Sequence, residues 1–337
     1  MKQDLWKTVF EEVKGIVQDI PLKEEKVEGD FFVIEKAVVF SEGKKIKATP
    51  ISYGYNGIKT FIDEIIFIDE LEPDVVFKEE LKGKILYIHK IPKLKYLHFL
   101  KKISPAAVIT NTPVDKPIYI KEFPILYIPS FIQSGSIKIQ LKTKKKNFKT
   151  KNFYFDIGAG PYFFYIHFPF DSFFDKEDRV YFNASLKTAV NLIKKLLEVK
   201  YPRGYRIRFL FTDMKFMDYY GLKQHLKNEN DIISIFHVEN TGMGNEKLII
   251  KNINYLLDDF HYKKIHRLSK KGNQPVDEAN FYGYSTIEEI DIPVVWFTSQ
   301  PAEELYNLKK DFLNEKLILN FVNKAFYFIN NLYRANI

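Results

Sequence analysis

Side chains that could do metal or acid–base chemistry stand near the ends of apolar runs in the second half of the chain. His167 and Asp171 close one run, and His237 and Glu239 close another. Imidazole nitrogens and carboxylate oxygens are zinc ligands, and bound zinc makes water acidic enough to attack a carbonyl near neutral pH. These residue types are the ones that such a metal centre would need.

Other chemistries have less support. His261 and His266 are five residues apart, which is not the four-residue helical pair that binds zinc in other peptidases, and we interpret both as solvated. Ser172, Ser185 and Ser299 lie near the same runs, but the chain has no Gly-x-Ser-x-Gly elbow. A Ser–His–Asp set is recognised by geometry and stays open at this point. The absence of cysteine excludes disulfides, thiolate nucleophiles and Cys-ligated zinc.

Composition indicates a soluble globular protein, with 46% hydrophobic and 28% charged residues. A chain of 337 residues suits one large α/β domain and a smaller one. The first twenty residues are too highly charged for a signal-peptide core, and no apolar run is long enough to span a bilayer. We therefore expect no membrane segment and a cytoplasmic location.

A lysine strip at 138–151 contains seven lysines and no acid, within a chain of net charge +8. The favoured interpretation is a solvated hairpin or a linker between domains. The alternative is a polyanion or nucleic-acid surface, with Phe148 and Phe153 as stacking platforms. Because no nucleic-acid motif accompanies the strip, we consider a nucleic-acid partner the weaker reading.

The pattern of apolar residues predicts the elements that must position these groups. An amphipathic helix is expected at 4–18, a β-rich region at 31–140 and a helix within it at 93–103. Strands are predicted at 153–157, 162–168, 206–212, 232–238, 247–251 and 292–298. Helices are predicted at 184–199, 217–227, 302–310 and 314–333. Such alternation indicates a doubly wound, mostly parallel sheet, which binds ligands at the carboxyl ends of its strands.

Two segments of the second half resemble motifs of a known family. The stretch YFFYIHFPFDS ends in Asp171-Ser172, and FNASL opens a predicted helix with Asn183. They are similar to the His-x-Asp-Ser strand end and the Asp-Asn-Ala-Ser-Gly turn of the co-catalytic di-zinc aminopeptidases, the group that includes leucyl aminopeptidases, glutamate carboxypeptidase II and glutaminyl cyclases. Pro169 stands at the histidine position and Phe182 at that of the metal-bridging aspartate.

Three further segments resemble the same family in the same order. FLFTDMKFMDYYGLKQHL is similar to the strand ending in Glu-Glu before a glycine-containing helix start, with Lys215 and Phe216 at the glutamate positions. ISIFHVENTG resembles the strand that ends in an acidic ligand and keeps Glu239. DIPVVWF and YNLKKD resemble the last strand and its Tyr-His-Thr-x-x-Asp segment, with Asn307 at the histidine position.

The first half resembles the protease-associated domain that often accompanies these peptidases, through ATPISYG, EIIFIDE, LKGKILYIHK, SPAAVITNT and FPILYIPS. The two resemblances together imply a zinc-exopeptidase-like α/β domain at 150–337 and a smaller β-rich, protease-associated-like domain at 30–149. Residues 1–29 would form an N-terminal helix and lead-in.

The resemblance implies two zinc ions, held by two histidines and three carboxylates, with a further glutamate as general base. Here proline and phenylalanine offer no side-chain lone pairs, asparagine is a poor zinc ligand, and a lysine replaces the base. The degenerate cleft positions are Pro169, Asp171, Phe182, Asn183, Lys215, Phe216, Glu239 and Asn307. Only Glu239 could still ligate, so we predict no zinc, no other cofactor and no catalytic residue at these positions.

Four nearby residues could rescue the site. His167 and His237 each precede a ligand position by two residues, which keeps them on the same face of a strand. For both, a packed or surface histidine is the favoured reading. Asp213 and Asp218 flank the two glutamate positions, and we favour a surface or helix-capping role for them.

We interpret the chain as a non-catalytic relative that binds a peptide, a protein partner or a small molecule in the former active-site cleft. The alternative is a metal-dependent aminopeptidase with rearranged ligands; the oligomeric state stays open. We further predict that the Lys215 ammonium lies near the Glu239 carboxylate, in place of the lost zinc. The alternative hypothesis is that Lys215 points to solvent and that Glu239 caps the turn that follows it.

Overall fold

The computed structural model describes residues 5–57, 59–69, 79–89, 100–101, 103–112, 118–130, 132, 135–171, 180–200, 204–239, 249–252, 263, 267, 290–298 and 314–334. The chain divides into two compact units. The large unit comprises 1–27 and 150–337, and the small unit comprises 28–149. We predicted a separate lead-in at 1–29, but residues 1–27 belong to the large unit. The reason is that Leu5, Trp6 and Val9 pack in its apolar core.

The sheet of the large unit is mostly parallel, as the strand–helix alternation predicts. Its strands are β10 (Ser136–Gly158), β11 (Tyr162–Pro169), β12 (Tyr205–Thr212), β13 (Ile232–Val238), β14 (Ile249–Asn252) and β15 (Val294–Thr298). Their order is β14-β15-β13-β11-β12-β10. The pairs β12–β11, β11–β13 and β13–β15 are parallel. The outer pairs, β14–β15 and β10–β12, are antiparallel.

Helices cover both faces of this sheet. The helices are α1 (Leu5–Ile16), α2 (Val180–Leu197), α3 (Tyr220–Leu226) and α4 (Glu315–Arg334). One face is wholly apolar and packs in a single core with α1, α2 and α4. The other face carries a smaller apolar cluster with Leu222 of α3. The predicted doubly wound α/β fold class is therefore confirmed for this unit; the helix predicted at 302–310 lies outside the described residues.

Strands dominate the small unit. They are β1 (Lys23–Ser41, which starts in the large unit), β2 (Lys44–Lys47), β3 (Thr49–Pro50), β4 (Ser52–Gly54), β5 (Lys59–Ile68), β6 (Ile85–Ile88), β7 (Ala107–Thr110), β8 (Ile118–Ile120) and β9 (Ile125–Tyr127). Strands β5, β6, β7 and β9 form a parallel row with β3 at its end. Buried aliphatic side chains from these strands form the core of this unit.

The lysine strip is not a hairpin loop, because it lies within the 23-residue strand β10; the division between the two units, after Lys149, falls inside it. Strand β10 pairs with β1, which is rich in acidic residues. Lys142 bonds Glu35 at 3.2 Å, Lys145 bonds Asp30 at 2.5 Å, and Lys149 and Lys151 pair with Glu28 and Glu24. The sequence reading missed this arrangement because the partner carboxylates lie more than one hundred residues away along the chain.

No described helix is both long and apolar enough to cross a bilayer.

Candidate functional site

Strands β11, β12 and β13 bring three polar side chains together at their carboxyl ends. Because the strands are parallel neighbours, their carboxyl ends meet at one edge of the sheet. His167 lies directly opposite His237 in the register, and Thr212 ends the strand on the other side of β11. Their sequence neighbours Phe168 and Phe236 point into the apolar core on the opposite face. The alternation of each strand therefore places all three polar groups on the α3 side.

The polar groups are bonded in series, and we call this series, together with Lys215 and Tyr219, the strand-end site. Thr212 Oγ1 lies 2.7 Å from His167 Nε2, and His167 Nδ1 lies 2.8 Å from His237 Nδ1. His237 Nε2 lies 2.9 Å from Glu239 Oε2, which also accepts a 2.6 Å hydrogen bond from Tyr219. Thr212, both histidines and Glu239 are buried.

The hydrogen bonds assign the tautomers of the two rings. An ionised carboxylate only accepts, so His237 must donate from Nε2 and, when neutral, accept at Nδ1. His167 must then donate from Nδ1 and accept at Nε2, where the Thr212 hydroxyl donates. Burial is the main cause that lowers the pKa of both imidazoles. His237 lowers the pKa of His167 further, and the Lys215 ammonium lowers that of His237, although Glu239 acts in the opposite direction on both rings. Both rings are therefore neutral near pH 7.

Lys215 pairs with Glu239, as predicted from the sequence. Its Nζ lies 2.5 Å from Glu239 Oε1, and the two side chains are 11% and 3% exposed. Burial alone would raise the pKa of Glu239, but the Lys215 ammonium and the His237 hydrogen bond outweigh it and hold that pKa well below its ordinary value. The Lys215 ammonium also lies 5.3 Å from the centre of the Phe216 ring. The solvent-pointing alternative for Lys215 is thus wrong.

The turn that carries Lys215 and Tyr219, residues 213–219, is the site turn. Met214, Asp218 and Tyr219 have φ values of 63°, 58° and 52°, the left-handed region that non-glycine residues rarely adopt. Such conformations persist only where surrounding contacts enforce them. Lys215 N–H donates to Phe170 O at 3.0 Å, which is one of the contacts that do so.

Two buried carboxylates accept hydrogen bonds from backbone N–H groups of the site turn. Asp171 Oδ2 accepts a 2.7 Å hydrogen bond from Phe216 N–H, and Asp213 Oδ1 accepts a 2.8 Å bond from Met214 N–H. Asp213 also bonds Thr150 and is fully buried, so the predicted surface role is wrong for it; its carboxylate caps the site turn, and no described side chain caps the N-terminus of α3. Asp218 is half-buried and pairs with Lys223 of α3 at 3.1 Å.

The remaining positions that the resemblance compares with the family's metal site lie in apolar surroundings or in α2. Phe182 and Phe216 are buried in the apolar core, and the ring of Phe182 packs edge-on against Phe170 at 5.8 Å. Pro169 is buried at the end of β11, and Asn183 follows Phe182 in α2. Ser185 is half-buried in the same helix. The other residues singled out from the sequence, Asn307, His261, His266, Ser172 and Ser299, lie outside the described residues.

The described groups do not fit a zinc ion. Two nitrogens on one tetrahedral zinc would be roughly 3.3 Å apart, given Zn–N distances of about 2.0–2.1 Å, whereas the two Nδ1 atoms are 2.8 Å apart, an ordinary hydrogen-bond distance. Glu239 bonds Nε2 of His237, whereas His167 bonds Nδ1 of the same ring. The two histidines and Glu239 therefore form a linear hydrogen-bonded series and do not converge on one point. Within the described part of the chain, no three His, Asp or Glu side chains converge to hold a metal.

The same series has the order of an acyl-transfer triad, with a hydroxyl, an imidazole and an orienting group. Burial argues against that use, because Thr212 is 1% exposed and His167 is fully buried. A substrate carbonyl must come within about 3 Å of the attacking oxygen. The hydroxyl that bonds the imidazole is therefore a structural donor in this arrangement.

An ionic cluster lies on the same sheet face toward the other ends of the strands. Arg208 forms a two-point bond with Asp156, at 2.7 and 3.1 Å, and its NH1 bonds Glu229 at 2.5 Å. The aromatic rings of Tyr154 and Phe163 pack on its guanidinium at 4.2 and 4.6 Å. An open groove of about 1060 Å³ between α1 and α2 contains none of these residues.

Comparison with known proteins identifies the fold. No family model and no curated protein matches the chain in sequence. Among solved structures, an aminopeptidase from Aneurinibacillus sp. strain AM-1 superposes with a TM-score of 0.62 at 13% identity, over 96% of this chain and 88% of that one. The zinc aminopeptidase BSAP from Bacillus subtilis gives 0.58 at 11% identity, over 96% and 88%. A Peptidase M28 precursor from Shewanella amazonensis gives 0.58 at 11%, over 96% and 86%. Because the identities are low, this likeness shows the fold alone, which is zinc-exopeptidase-like.

Proposed function

We propose that this protein is a non-catalytic relative of the zinc aminopeptidases that binds a peptide, a protein partner or a small molecule in the former active-site cleft, beside Lys215 at the edge of the buried strand-end site. One observation carries the proposal. The Lys215 ammonium lies 2.5 Å from the Glu239 carboxylate. The sequence resemblance assigns Lys215 to the position of the family's general base and Glu239 to that of an acidic ligand. A cation at that point supplies the positive charge that zinc would otherwise bring to the carboxylate.

The bonds of Glu239 support this proposal. One carboxylate oxygen is held by Lys215 and the other by His237 and Tyr219. A protonated amine cannot accept a proton from water, so Lys215 in this pair cannot act as a general base. These donors occupy three of the roughly four lone-pair sites of the Glu239 carboxylate, so an ion could ligate at most one site without displacing a buried donor.

The strained site turn supports a retained binding role over simple loss of function. Three non-glycine residues in left-handed conformations cost of order 1–3 kcal/mol each. The buried anchors Asp171 and Asp213 hold that arrangement. Backbone strain of this kind concentrates at binding sites, where a fixed side chain, here Lys215, must be presented in one position.

A metal-dependent aminopeptidase with rearranged ligands is the second candidate, because His167, His237 and Glu239 do meet at the strand ends. It would require the two rings to break their mutual hydrogen bond and Lys215 to leave the carboxylate. Polyanion binding through the lysine strip has weaker support, since four of its lysines pair with carboxylates of β1. The protease-associated character of the small unit and the cytoplasmic location remain predictions.

Metal analysis and substrate hydrolysis test the proposal together. Protein produced with added zinc and then dialysed should contain well under one zinc ion per chain, and should not cleave a panel of amino-acid p-nitroanilides. Two zinc ions per chain together with anilide cleavage would overturn the proposal in favour of the rearranged enzyme.

Ligand binding is tested separately by thermal shift with tripeptides of neutral, acidic and basic sequence. A tripeptide present at about 100 times its dissociation constant should stabilise the fold by about 2.7 kcal/mol. Lys215→Met should abolish the shift, whereas Lys223→Met, a half-exposed lysine on α3, should retain it. Equal shifts in both variants would exclude the strand-end site as the place of binding.

A further inference from the structure

Asn152 lies at the junction of three segments that surround the site turn. Its side chain is fully buried. The amide nitrogen donates to Gly221 O at 2.9 Å, at the start of α3, and to Glu25 Oε2 at 3.1 Å, on the lead-in part of β1. The amide oxygen accepts from Asp213 N–H at 3.3 Å, the first residue of the site turn. One side chain therefore ties both ends of the turn to each other and to the lead-in strand.

The neighbours of Asn152 leave one orientation for its amide. Two of them, the Glu25 carboxylate and the Gly221 carbonyl, only accept, and the third, Asp213 N–H, only donates. The flipped amide would place its oxygen against both acceptors. Burial alone would raise the pKa of Glu25, but its hydrogen bonds to His225 and Asn152 outweigh it and lower that pKa. Glu25 is therefore an ionised acceptor for the amide.

Gly221 shows how closely the two ends of the site turn approach. A Cβ atom added at Gly221 would lie 2.4 Å from Asp213 O and 2.7 Å from Asn152 Oδ1. Real Cβ atoms do not come that close to backbone oxygens, so only glycine fits where α3 starts against the turn. The short distance between Asp213 and Gly221 forces the intervening residues into a tight loop, which includes the left-handed Met214, Asp218 and Tyr219.

We propose that Asn152 is a positioning residue of the strand-end site, which holds the site turn in the conformation that places the Lys215 ammonium on Glu239. Its importance for ligand binding rests on the function proposed above. Asn152 touches neither Lys215 nor Glu239 among the hydrogen bonds of the described residues, and acts through Asp213 and Gly221. Glu25 is the outer anchor, because it bonds both Asn152 and His225 of α3, the latter at 2.9 Å.

Chemical footprinting of lysines tests this role without any ligand. Wild-type protein is acetylated briefly, and modification of Lys215 is compared by mass spectrometry with that of Lys223, whose side chain is 34% exposed. We expect Lys215 to be protected. Asn152→Asp keeps the size of the side chain but turns an acceptor toward Glu25 and Gly221 O, so Lys215 should lose its protection while circular dichroism still shows a folded protein.

A matched control separates positioning from general destabilisation. Leu192→Ala removes a buried side chain of α2 in the core on the opposite sheet face, so it should lower stability and leave Lys215 protected. If Asn152→Asp does not fold, Glu25→Ala, at a partly exposed position, should cause a partial loss of protection. The proposal is overturned if Lys215 stays fully protected in the folded Asn152 or Glu25 variant, or if Leu192→Ala exposes it equally. Because no ligand is present, neither result depends on whether the protein binds peptides.

Discussion

The Lys215 ammonium and the Glu239 carboxylate form a buried ion pair at 2.5 Å, between a turn after β12 and the end of β13. The pair joins two segments that lie on either side of β11 in the sheet. Removing one partner of a buried pair leaves the other charge without compensation, which costs more than the pair itself contributes. The stability of the fold should therefore be sensitive to this single lysine.

Lys215→Met should lower the free energy of unfolding by about 3 kcal/mol or more, because breaking a buried pair costs about 3–5 kcal/mol. Urea unfolding at pH 7.5 measures the loss. Lys223→Met is the matched control, since it removes a more exposed pair with Asp218, and exposed pairs contribute about 0–1 kcal/mol. Equal small losses in both variants would show that Lys215 does not compensate a buried charge.

The two histidines should make the protein less stable as the pH falls. Burial lowers the pKa of His167 and His237 in the folded state, so below about pH 6.5 the unfolded chain binds protons that the folded chain does not. Between pH 7.5 and pH 5.5 each histidine should then cost at most about 1.4 kcal/mol, the limit that applies when the folded-state pKa lies well below this range. The loss stops when the pH reaches the folded-state pKa.

Urea unfolding at the two pH values checks this dependence. A His237→Gln variant should lose less stability between pH 7.5 and pH 5.5 than the wild type does. His225 is also buried but is bonded to Glu25, so comparing the variant with the wild type isolates the strand-end pair. An identical pH dependence in the two proteins would contradict neutral, buried rings.

The tautomers of the two rings should be opposite. His167 should carry its proton on Nδ1 and His237 on Nε2. The reason is that Glu239 accepts from His237 Nε2, which leaves Nδ1 of His237 as the acceptor for His167. Long-range proton–nitrogen NMR of histidine-labelled protein at pH 7 resolves the protonated nitrogen of each ring. Two identical tautomers, or a doubly protonated ring, would contradict this assignment of donors and acceptors to the two histidines.

The lysine strip should contribute little to stability. Exchange of Lys144, Lys145 and Lys146 for Gln removes the pair between Lys145 and Asp30, which is largely exposed, so the free energy of unfolding should change by about 1 kcal/mol or less. A gel-shift assay at low salt should detect no binding of labelled DNA or RNA. A shift with a steep salt dependence that the triple variant loses would instead establish a polyanion surface.

The parallel sheet could be predicted because it follows from apolar runs that are local in the chain. The meeting of Lys215 with Glu239 was predicted from the family resemblance, which assigns both residues to one cleft, and the solvent-pointing alternative stayed open until the structure decided it. The bond between His167 and His237 could not be predicted, since it depends on the register of β11 against β13, which are separated by β12 in sequence. Thr212 and Tyr219 lie within the quoted motifs but carry no distinguishing spacing. Asn152 directly follows the polar residues 149–151, so nothing in the local sequence indicated that its amide is buried.

Introducing an aspartate at Phe182 should strongly lower stability without creating a metal site. Phe182 is 4% exposed within the apolar core and packs against Phe170, so a carboxylate there would be desolvated and unpaired. Phe182→Asp should therefore cost more than the roughly 3–5 kcal/mol typical of Phe→Ala in a core, as measured by urea unfolding. Phe182→Leu, which keeps an apolar side chain, should cost about 1.5 kcal/mol or less. If Phe182→Asp instead folded normally and took up zinc in elemental analysis, this position would still belong to a metal site and the proposed loss of that chemistry would be wrong.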